Sequence, residues 1–363
     1  MQTLNALGWS DRWQAALGQL DDGRLVPARI SEEHRDRYRA LGDGTVWTAT
    51  LPGALRHRAA DRAELPAVGD WVALRPGSAM PGPDGVGEAT IVAVLPRRSA
   101  IVRKQAGVET AVQVLAANLD TIFLVTDTGD DFNVRRIERM LAVIWESGAS
   151  PVLLLNKVDL CEDAVRFVDE AAAVALGVPI HPLSALRGDG VEAITPYVAE
   201  GRSIALIGSS GVGKSTLVNL LAGLPLMEVH EIRAGDGRGR HTTTHRQLLV
   251  LPRGGVLIDT PGMREVALWS AGDGVGATFA DIEELADRCH FADCRHDSEP
   301  GCAVLEAVES GALDAGRLAS YRKLQREVAF LERQRDHRAR REEQRRWRSI
   351  TRSMRQWSRQ RGR

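Results

Sequence analysis

Gly208-Ser209-Ser210-Gly211-Val212-Gly213-Lys214-Ser215 has the form G-x-x-x-x-G-K-S. The apolar run Ser203-Ile204-Ala205-Leu206-Ile207 before it predicts a buried strand, and Ser215-Thr216-Leu217-Val218-Asn219-Leu220-Leu221 after it predicts a helix start. Strand, glycine loop and helix are the context in which this string cradles phosphate. Gly208 and Gly213 let the backbone wrap an anion without a Cβ clash. The loop amides from Ser209 through Val212, with the helix N-terminus at Ser215-Thr216, face that anion. Lys214 is the candidate for the β- and γ-phosphates, and the Ser215 hydroxyl for Mg²⁺.

Upstream, Pro151-Val152-Leu153-Leu154-Leu155 predicts a second buried strand that ends in Asn156-Lys157-Val158-Asp159. A carboxylate at Asp159 would accept hydrogen bonds from the N1–H and N2–H₂ edge of guanine, a donor pair that adenine lacks. Lys157 would lie over the base, and Asn156 would tie this loop to the phosphate loop. Ser184-Ala185-Leu186 follows the short apolar segment Val178-Pro179-Ile180 and offers backbone to the guanine oxygen. Downstream, Gly255-Val256-Leu257-Ile258 predicts a strand closed by Asp259-Thr260-Pro261-Gly262. Asp259 would hold Mg²⁺ through water, and the Gly262 N–H would contact the γ-phosphate.

Between these motifs lies a glycine-rich stretch from Gly235 to Gly239, followed by Arg240-His241-Thr242-Thr243-Thr244. It suits a first switch loop, with the Thr243 hydroxyl expected to complete the Mg²⁺ shell. Met263 follows Gly262, where many switch GTPases carry a glutamine that orients the attacking water. A thioether cannot do that job. His241 is the nearest candidate to orient or deprotonate water; the competing reading is a solvated loop histidine.

The 363 residues suit two or three domains. An apolar fraction of 44% and a charged fraction of 26% are those of a soluble globular protein. No apolar run approaches the length of a membrane span, and the N-terminus lacks a signal-peptide pattern, so a cytoplasmic location and no membrane partner are expected. The net charge of −1 hides an asymmetry, because residues 331–363 hold thirteen arginines against four acidic residues. A basic tail of this kind points to a polyanionic partner.

Of the four cysteines, Cys161 reads as a passive small side chain. The others form Cys289-x₄-Cys294-x-His296-x₅-Cys302, a closed tetrahedral donor set for one structural Zn²⁺. A disulfide or unligated thiols are the alternatives, and His290 competes with His296 as the nitrogen ligand.

Short alternating segments between Leu25 and about Gly107 predict a small barrel, which a five-stranded nucleic-acid-binding barrel would fit. Arg97, Arg98, Arg103 and Lys104 are expected to put basic charge beside one of its strands. From Val112 the pattern changes to apolar strands alternating with helices, the mark of a parallel α/β sheet with its ligand at the strand carboxyl ends. From about Thr278 it reads as helix, metal knuckle, helix. The fold class is therefore multidomain α/β. Its expected parts are an N-terminal extension (1–24), a small β-barrel (25–111), a P-loop GTPase domain with its motifs in rotated order (112–270), a mainly helical zinc-binding domain (271–330) and an arginine-rich helix or tail (331–363). The N-terminal extension reads as partly helical and poorly anchored.

The order of motifs narrows the reading further, because the guanine tetrad precedes the phosphate loop, whereas in most GTPases it follows. The series N-K-V-D, S-A-L, G-S-S-G-V-G-K-S-T, H-T-T-T, D-T-P-G and C-x₄-C-x-H-x₅-C resembles the circularly permuted ribosome small-subunit-dependent GTPase A family, from about Leu25 to Arg326. The resemblance implies an N-terminal OB-type β-barrel, a circularly permuted P-loop GTPase domain and a C-terminal zinc-binding domain in an assembly factor that binds GTP and GDP, the 30S subunit and 16S rRNA; a monomer is expected. It implies GTP hydrolysis that is slow alone, stimulated by the small subunit, and used to control docking and release late in subunit maturation. Two other readings stay open: an rRNA-binding scaffold with GTP as a structural ligand, which Met263 permits, and an ATP-dependent P-loop enzyme, which Asp159 disfavours.

Overall fold

The computed structural model describes residues 3–20, 23–34, 37–59, 61–78, 82, 85–104, 112–227, 246–259 and 273–333. The chain divides into two compact units, Met1–Ala267 and Leu268–Arg363.

The first unit begins with helix α1 (Asp11–Gly18), then strands β1 (Val26–Glu33), β2 (Arg37–Leu41), β3 (Val46–Thr50), β4 (Trp71–Pro76) and β5 (Val86–Val94), with helix α2 (Gly53–Arg58) between β3 and β4. The five strands run in the order β1-β2-β3-β5-β4, and β4 pairs back onto β1, so the barrel closes. Ala28 and Ile30 of β1, Tyr38 and Ala40 of β2, Trp47 and Ala49 of β3, Val72 and Leu74 of β4, and Ala89 and Ile91 of β5 fill it. The two-residue spacing within each pair is the strand period that puts one face inside. Strand β2 falls on Arg-Tyr-Arg-Ala-Leu, whose exposed arginines break an apolar run while its alternate residues stay buried.

A two-stranded ribbon follows, β6 (Ala100–Lys104) with β7 (Val112–Ala117). Then come β8 (Thr121–Asp127), α3 (Val134–Glu146), β9 (Ser150–Asn156), α4 (Ala164–Ala172), β10 (Ile180–Pro182), β11 (Ser203–Ile207), α5 (Lys214–Ala222), β12 (Gln247–Val250) and β13 (Val256–Asp259). In space the strands lie β10-β9-β8-β11-β13-β12, parallel throughout except for β12. Asn133 caps α3, its side chain accepting the Arg136 N–H at 3.0 Å. β12 also pairs with β1 through Glu32 and Gln247, so barrel and α/β sheet share one continuous eleven-stranded sheet. The parallel sheet expected from the sequence thus carries one antiparallel strand, and that strand is the joint to the barrel.

The N-terminal segment is anchored, contrary to its sequence reading. Leu7, Trp13 and Leu17 are buried. Trp9 and Trp13 pack on Trp71 at centroid separations of 4.8 and 5.8 Å, and the Trp13 indole N–H donates to the Pro96 carbonyl at 3.1 Å. Only its tryptophans could have shown this, since the helix itself is short.

Beneath them lies Arg29, a buried guanidinium on β1 that donates to the carbonyls of Leu7, Gly69 (3.1 Å) and Asn118 (3.0 Å) and to Ser203 Oγ (2.7 Å). Its acceptors come from the N-terminal segment, the barrel, the residue after β7 and the first residue of β11. Burial pulls its guanidinium down to about 10, opposed by Asp120 and Asp70, which leaves it cationic at neutral pH. Arg97 is also turned inward: it clamps the buried Asp70 at 2.6 and 2.7 Å and reaches the carbonyls of Ala63 and Leu65. Arg98 pairs with Asp120 at 2.7 Å. These two arginines, expected to put basic charge beside a strand, are tied to carboxylates of the protein itself, the buried Asp70 and the partly exposed Asp120.

The second unit holds α6 (Asp273–Thr278), α7 (Ala280–Ala286), α8 (Ala303–Glu309) and a further helix across 315–333. Arg317 joins them, bonding Asp281 at 2.7 and 2.8 Å and the Thr278 carbonyl at 3.0 Å while its guanidinium lies 4.8 Å from the Phe279 ring centre. Residues 334–363, most of the expected arginine-rich tail, lie outside the described residues. No described helix is long and apolar enough to cross a membrane.

Replacing Arg29 by Met takes the donor from the buried Leu7 and Asn118 carbonyls and from Ser203 Oγ, while the Gly69 carbonyl keeps the Asn118 side-chain N–H at 3.1 Å. At about 1–3 kcal/mol for each orphaned group, partly relieved by relaxation, Arg29→Met should cost at least about 3 kcal/mol of unfolding free energy. Urea unfolding followed by tryptophan fluorescence checks this; a midpoint equal to the parent's would mean that the joint is unimportant.

Candidate functional site

β11 is buried along its whole length and lies between β8 and β13. The loop after it turns on glycines that tolerate nothing else. Gly208 has φ 149°, and a Cβ there would sit 2.1 Å from the Val125 carbonyl oxygen of β8. Gly213 has φ 96°, and its Cβ would sit 2.1 Å from Asn156 Nδ2. The loop closes on its own lysine, with Lys214 Nζ donating to the carbonyls of Gly208 (2.9 Å) and Ser209. Gly211, Val212 and Gly213 lead into α5, whose first turn holds Ser215 and Thr216. Helix N-terminal amides and a lysine set around one loop make an anion site.

The tetrad loop meets this loop directly. Asn156 ends β9 and is buried; its Nδ2 donates to the Val212 carbonyl at 2.7 Å, and its Oδ1 accepts the Ala185 N–H at 2.9 Å. One side-chain amide therefore fastens together three loops separated by 29 and 56 residues of sequence. Lys157 takes a left-handed conformation, φ 65°, and a short helical turn carries Val158 and Asp159. The Asp159 carboxylate is only 5% exposed, with Arg187 Nε 3.6 Å from Oδ2. The buried Ser184 holds the third loop in shape, donating its N–H to the Asp189 carbonyl at 2.9 Å and accepting the Arg187 N–H on Oγ at 3.2 Å.

Asp259 ends β13, next to β11 in the sheet. Burial pushes its carboxyl up, and the Lys214 ammonium opposes that shift. The remaining reaction candidates, His241, Thr243 and Gly262, lie outside the described residues, as do Thr260, Pro261 and Met263.

In the second unit Cys289, Cys294, His296 and Cys302 converge, with one donor atom from each all within 4.8 Å of one another. Sγ of Cys289 and Sγ of Cys302 are 3.9 Å apart, and they lie 3.6 and 3.4 Å from His296 Nδ1. Bonds of about 2.3 Å to sulfur and 2.0–2.1 Å to nitrogen in a tetrahedron set edges of about 3.8 Å (S···S) and 3.5 Å (S···N). The four donors therefore fit one zinc ion, and His296 rather than His290 completes the set. His296 is left-handed, φ 61°, and the loop is held by Glu299, whose carboxylate accepts the N–H groups of Arg295, Asp297 and Ser298 at 2.8–3.0 Å. Those bonds, that of Arg295 foremost, hold the Glu299 carboxyl down at about 2.

Two residues with contacts here escaped the sequence reading. Asp127 ends β8, with Oδ2 2.9 Å from Lys157 Nζ, and Arg187 lies on Asp159. An acidic residue at the end of a strand that neighbours the phosphate strand was the available signal for Asp127. Arg187 had none, since only the fold brings it to Asp159.

Residues 94–269 match the family described as RsgA GTPase. A protein of Opitutus terrae named small ribosomal subunit biogenesis GTPase RsgA is 47% identical over 351 residues, 96% of each chain. One of the same name from Streptomyces coelicolor is 43% identical over 93% of this chain and 90% of its own. The crystal structure of YjeQ from Thermotoga maritima superposes with a TM-score of 0.61 at 27% identity, covering 84% of this chain and 99% of that one. YloQ, described as a circularly permuted GTPase, also gives 0.61, over 85% and 97%; at 22% identity it speaks for the fold alone.

The site geometry makes Gly213→Ala a sharp probe. The new methyl must displace the Asn156 amide and occupy a left-handed backbone, so the tie between the loops should break. Guanine-nucleotide affinity, read by fluorescent GDP titration, should fall by at least about 100-fold for a combined cost near 3 kcal/mol. Parent-like affinity would mean that the Asn156 bridge is dispensable.

Proposed function

This chain belongs to the RsgA GTPase family, and on that premise we propose how its residues do the family's work. It is a GTP-hydrolysing enzyme of small ribosomal subunit biogenesis. The observation that carries the site assignment is the Asn156 amide, which draws phosphate loop, tetrad loop and Ser184-Ala185 loop to one point.

In our reading Asp159 accepts the guanine N1–H and N2–H₂ donors, Lys157 covers the base, and the backbone at Ser184-Ala185 meets its oxygen. The amides from Gly208 to Thr216 and the Lys214 ammonium take the phosphates. Ser215, Asp259 and Thr243 are the residues that would hold Mg²⁺ with the nucleotide. When bound, that ion would supply positive charge opposite the phosphate oxygens. Hydrolysis then needs a positioned water. Because Met263 offers no donor and only a weak thioether acceptor for it, we assign that task to His241, with the Gly262 N–H on the γ-phosphate. A zinc held by Cys289, Cys294, His296 and Cys302 would be structural, since four protein donors leave no open position.

The partner is the small subunit itself, the 30S particle with its 16S rRNA, engaged late in maturation by the GTP form and released after hydrolysis. The chain works as a cytoplasmic monomer. The division into a 25–111 barrel that binds RNA, a 112–270 GTPase domain and a 271–330 zinc domain is part of the same proposal, as is rRNA affinity from the arginines beyond residue 331.

Purified 30S particles should raise GTP turnover well above the intrinsic rate, while 50S particles should not. His241→Ala should lower the stimulated rate about 100-fold, as expected for a general base or water-orienting group, with little change in GDP affinity. A parent-like rate would make His241 a bystander, and indifference to 30S particles would favour a scaffold that merely holds GTP.

Metal analysis should find one zinc per chain. Cys294→Ser should lose it and unfold the second unit while GDP still binds. A retained equivalent would place the metal elsewhere.

A further inference from the structure

We propose that Asp127 is a positioning residue of the guanine site, acting through Lys157; the inference rests on reading Asn156-Lys157-Val158-Asp159 as the guanine loop. Asp127 is the last residue of β8 and pairs in register with Asn156, the last residue of β9. Its two carboxylate oxygens have different tasks. Oδ1 accepts the N–H groups of Gly129 and Asp131, both at 3.1 Å, which fixes the carboxylate in place. Oδ2 lies 2.9 Å from Lys157 Nζ. The next residue completes the hold: the Thr128 N–H donates to the Asn156 carbonyl and its hydroxyl to the Lys157 carbonyl, each at 3.2 Å.

Lys157 is thus gripped at both ends from the neighbouring strand. Its left-handed backbone, φ 65°, is disfavoured for any residue with a Cβ and persists only where the surroundings enforce it. Its ammonium is held as well. A free lysine would surrender rotamer freedom on lying across a purine, so a stem placed beforehand favours base binding. The pair is partly sheltered, with the two side chains 26% and 14% exposed, so solvent screens it only in part. Lys157 in turn neutralises a carboxylate one strand away from the phosphate loop. Asp159 reads the base edge, and Asp127 fixes the residue that covers its face.

Asp127→Asn separates this role from a merely structural one. The amide oxygen can still accept the Gly129 and Asp131 N–H groups, but the charge opposite Lys157 is gone. In the full-length protein, Asp127→Asn should speed fluorescent-GDP dissociation about three- to tenfold, the range open to a partly sheltered ion pair. It should raise KM for GTP in the 30S-stimulated reaction while kcat and the melting temperature hold, and Asp127→Glu should recover part of the loss. Lys157→Met keeps the stem and removes the charge, so it reads the same pair from the other side should Asp127→Asn fold poorly. The double variant should be no weaker than the worse single one. Unchanged GDP dissociation in Asp127→Asn, or full additivity with Lys157→Met, overturns the inference. Asp159→Asn separates the two failures: if it weakens GDP and Asp127→Asn does not, only the positioning role is lost. If neither matters, the guanine loop has been misplaced and the inference falls with it.

Discussion

The buried Asn156 amide is the constraint on which the proposed nucleotide site depends. It donates to the phosphate loop and accepts from the Ser184-Ala185 loop, so neither loop can shift without leaving a buried polar group unpaired, at a cost of about 1–3 kcal/mol. The same requirement makes residue 213 a glycine, because the amide occupies the space that a Cβ would need. An interaction of this kind is indifferent to chain order. It asks only that β9, β8 and β11 be neighbours with their carboxyl ends together, which the parallel pairing provides. Permutation therefore leaves the site intact: loops at the carboxyl ends of a parallel sheet form a ligand crevice whatever sequence of connections joins the strands.

The barrel is built into this sheet rather than tethered to it. β12 follows the glycine- and threonine-rich stretch proposed as the first switch. It pairs on one side with β13, which ends in Asp259, and on the other with β1 of the barrel. Arg29 fixes the same junction from within, reaching Ser203 at the start of the strand that ends in the phosphate loop. Four acceptors on four segments leave its planar guanidinium a single orientation.

Much of this was legible in the sequence because the signals were local. Apolar runs before Gly208, Asn156 and Asp259 marked β11, β9 and β13, and the helix after Gly213 began where the glycine loop ended. The spacing of Cys289, Cys294, His296 and Cys302 named the four donors that meet in space. What escaped was non-local. Strand β2 has exposed arginines at alternate positions, which disguised a buried face. Arg97 and Arg98 read as free charge because their partners, Asp70 and Asp120, lie more than twenty residues away. Arg29 gave no warning, since a lone arginine in a strand ordinarily faces water. The antiparallel β12 is a different case: the short turn from Leu251 to Gly255 joins it to β13 as a hairpin, and so short a connection permits only antiparallel pairing.

The central claim is that three separated segments assemble one guanine-nucleotide site. Calorimetric titration of the full-length protein with GDP, GTP, ADP and ATP in the presence of Mg²⁺ tests it most directly. The account predicts one guanine nucleotide per chain and no measurable displacement of it by adenine nucleotides. Displacement by ATP at concentrations similar to those of GTP would contradict it.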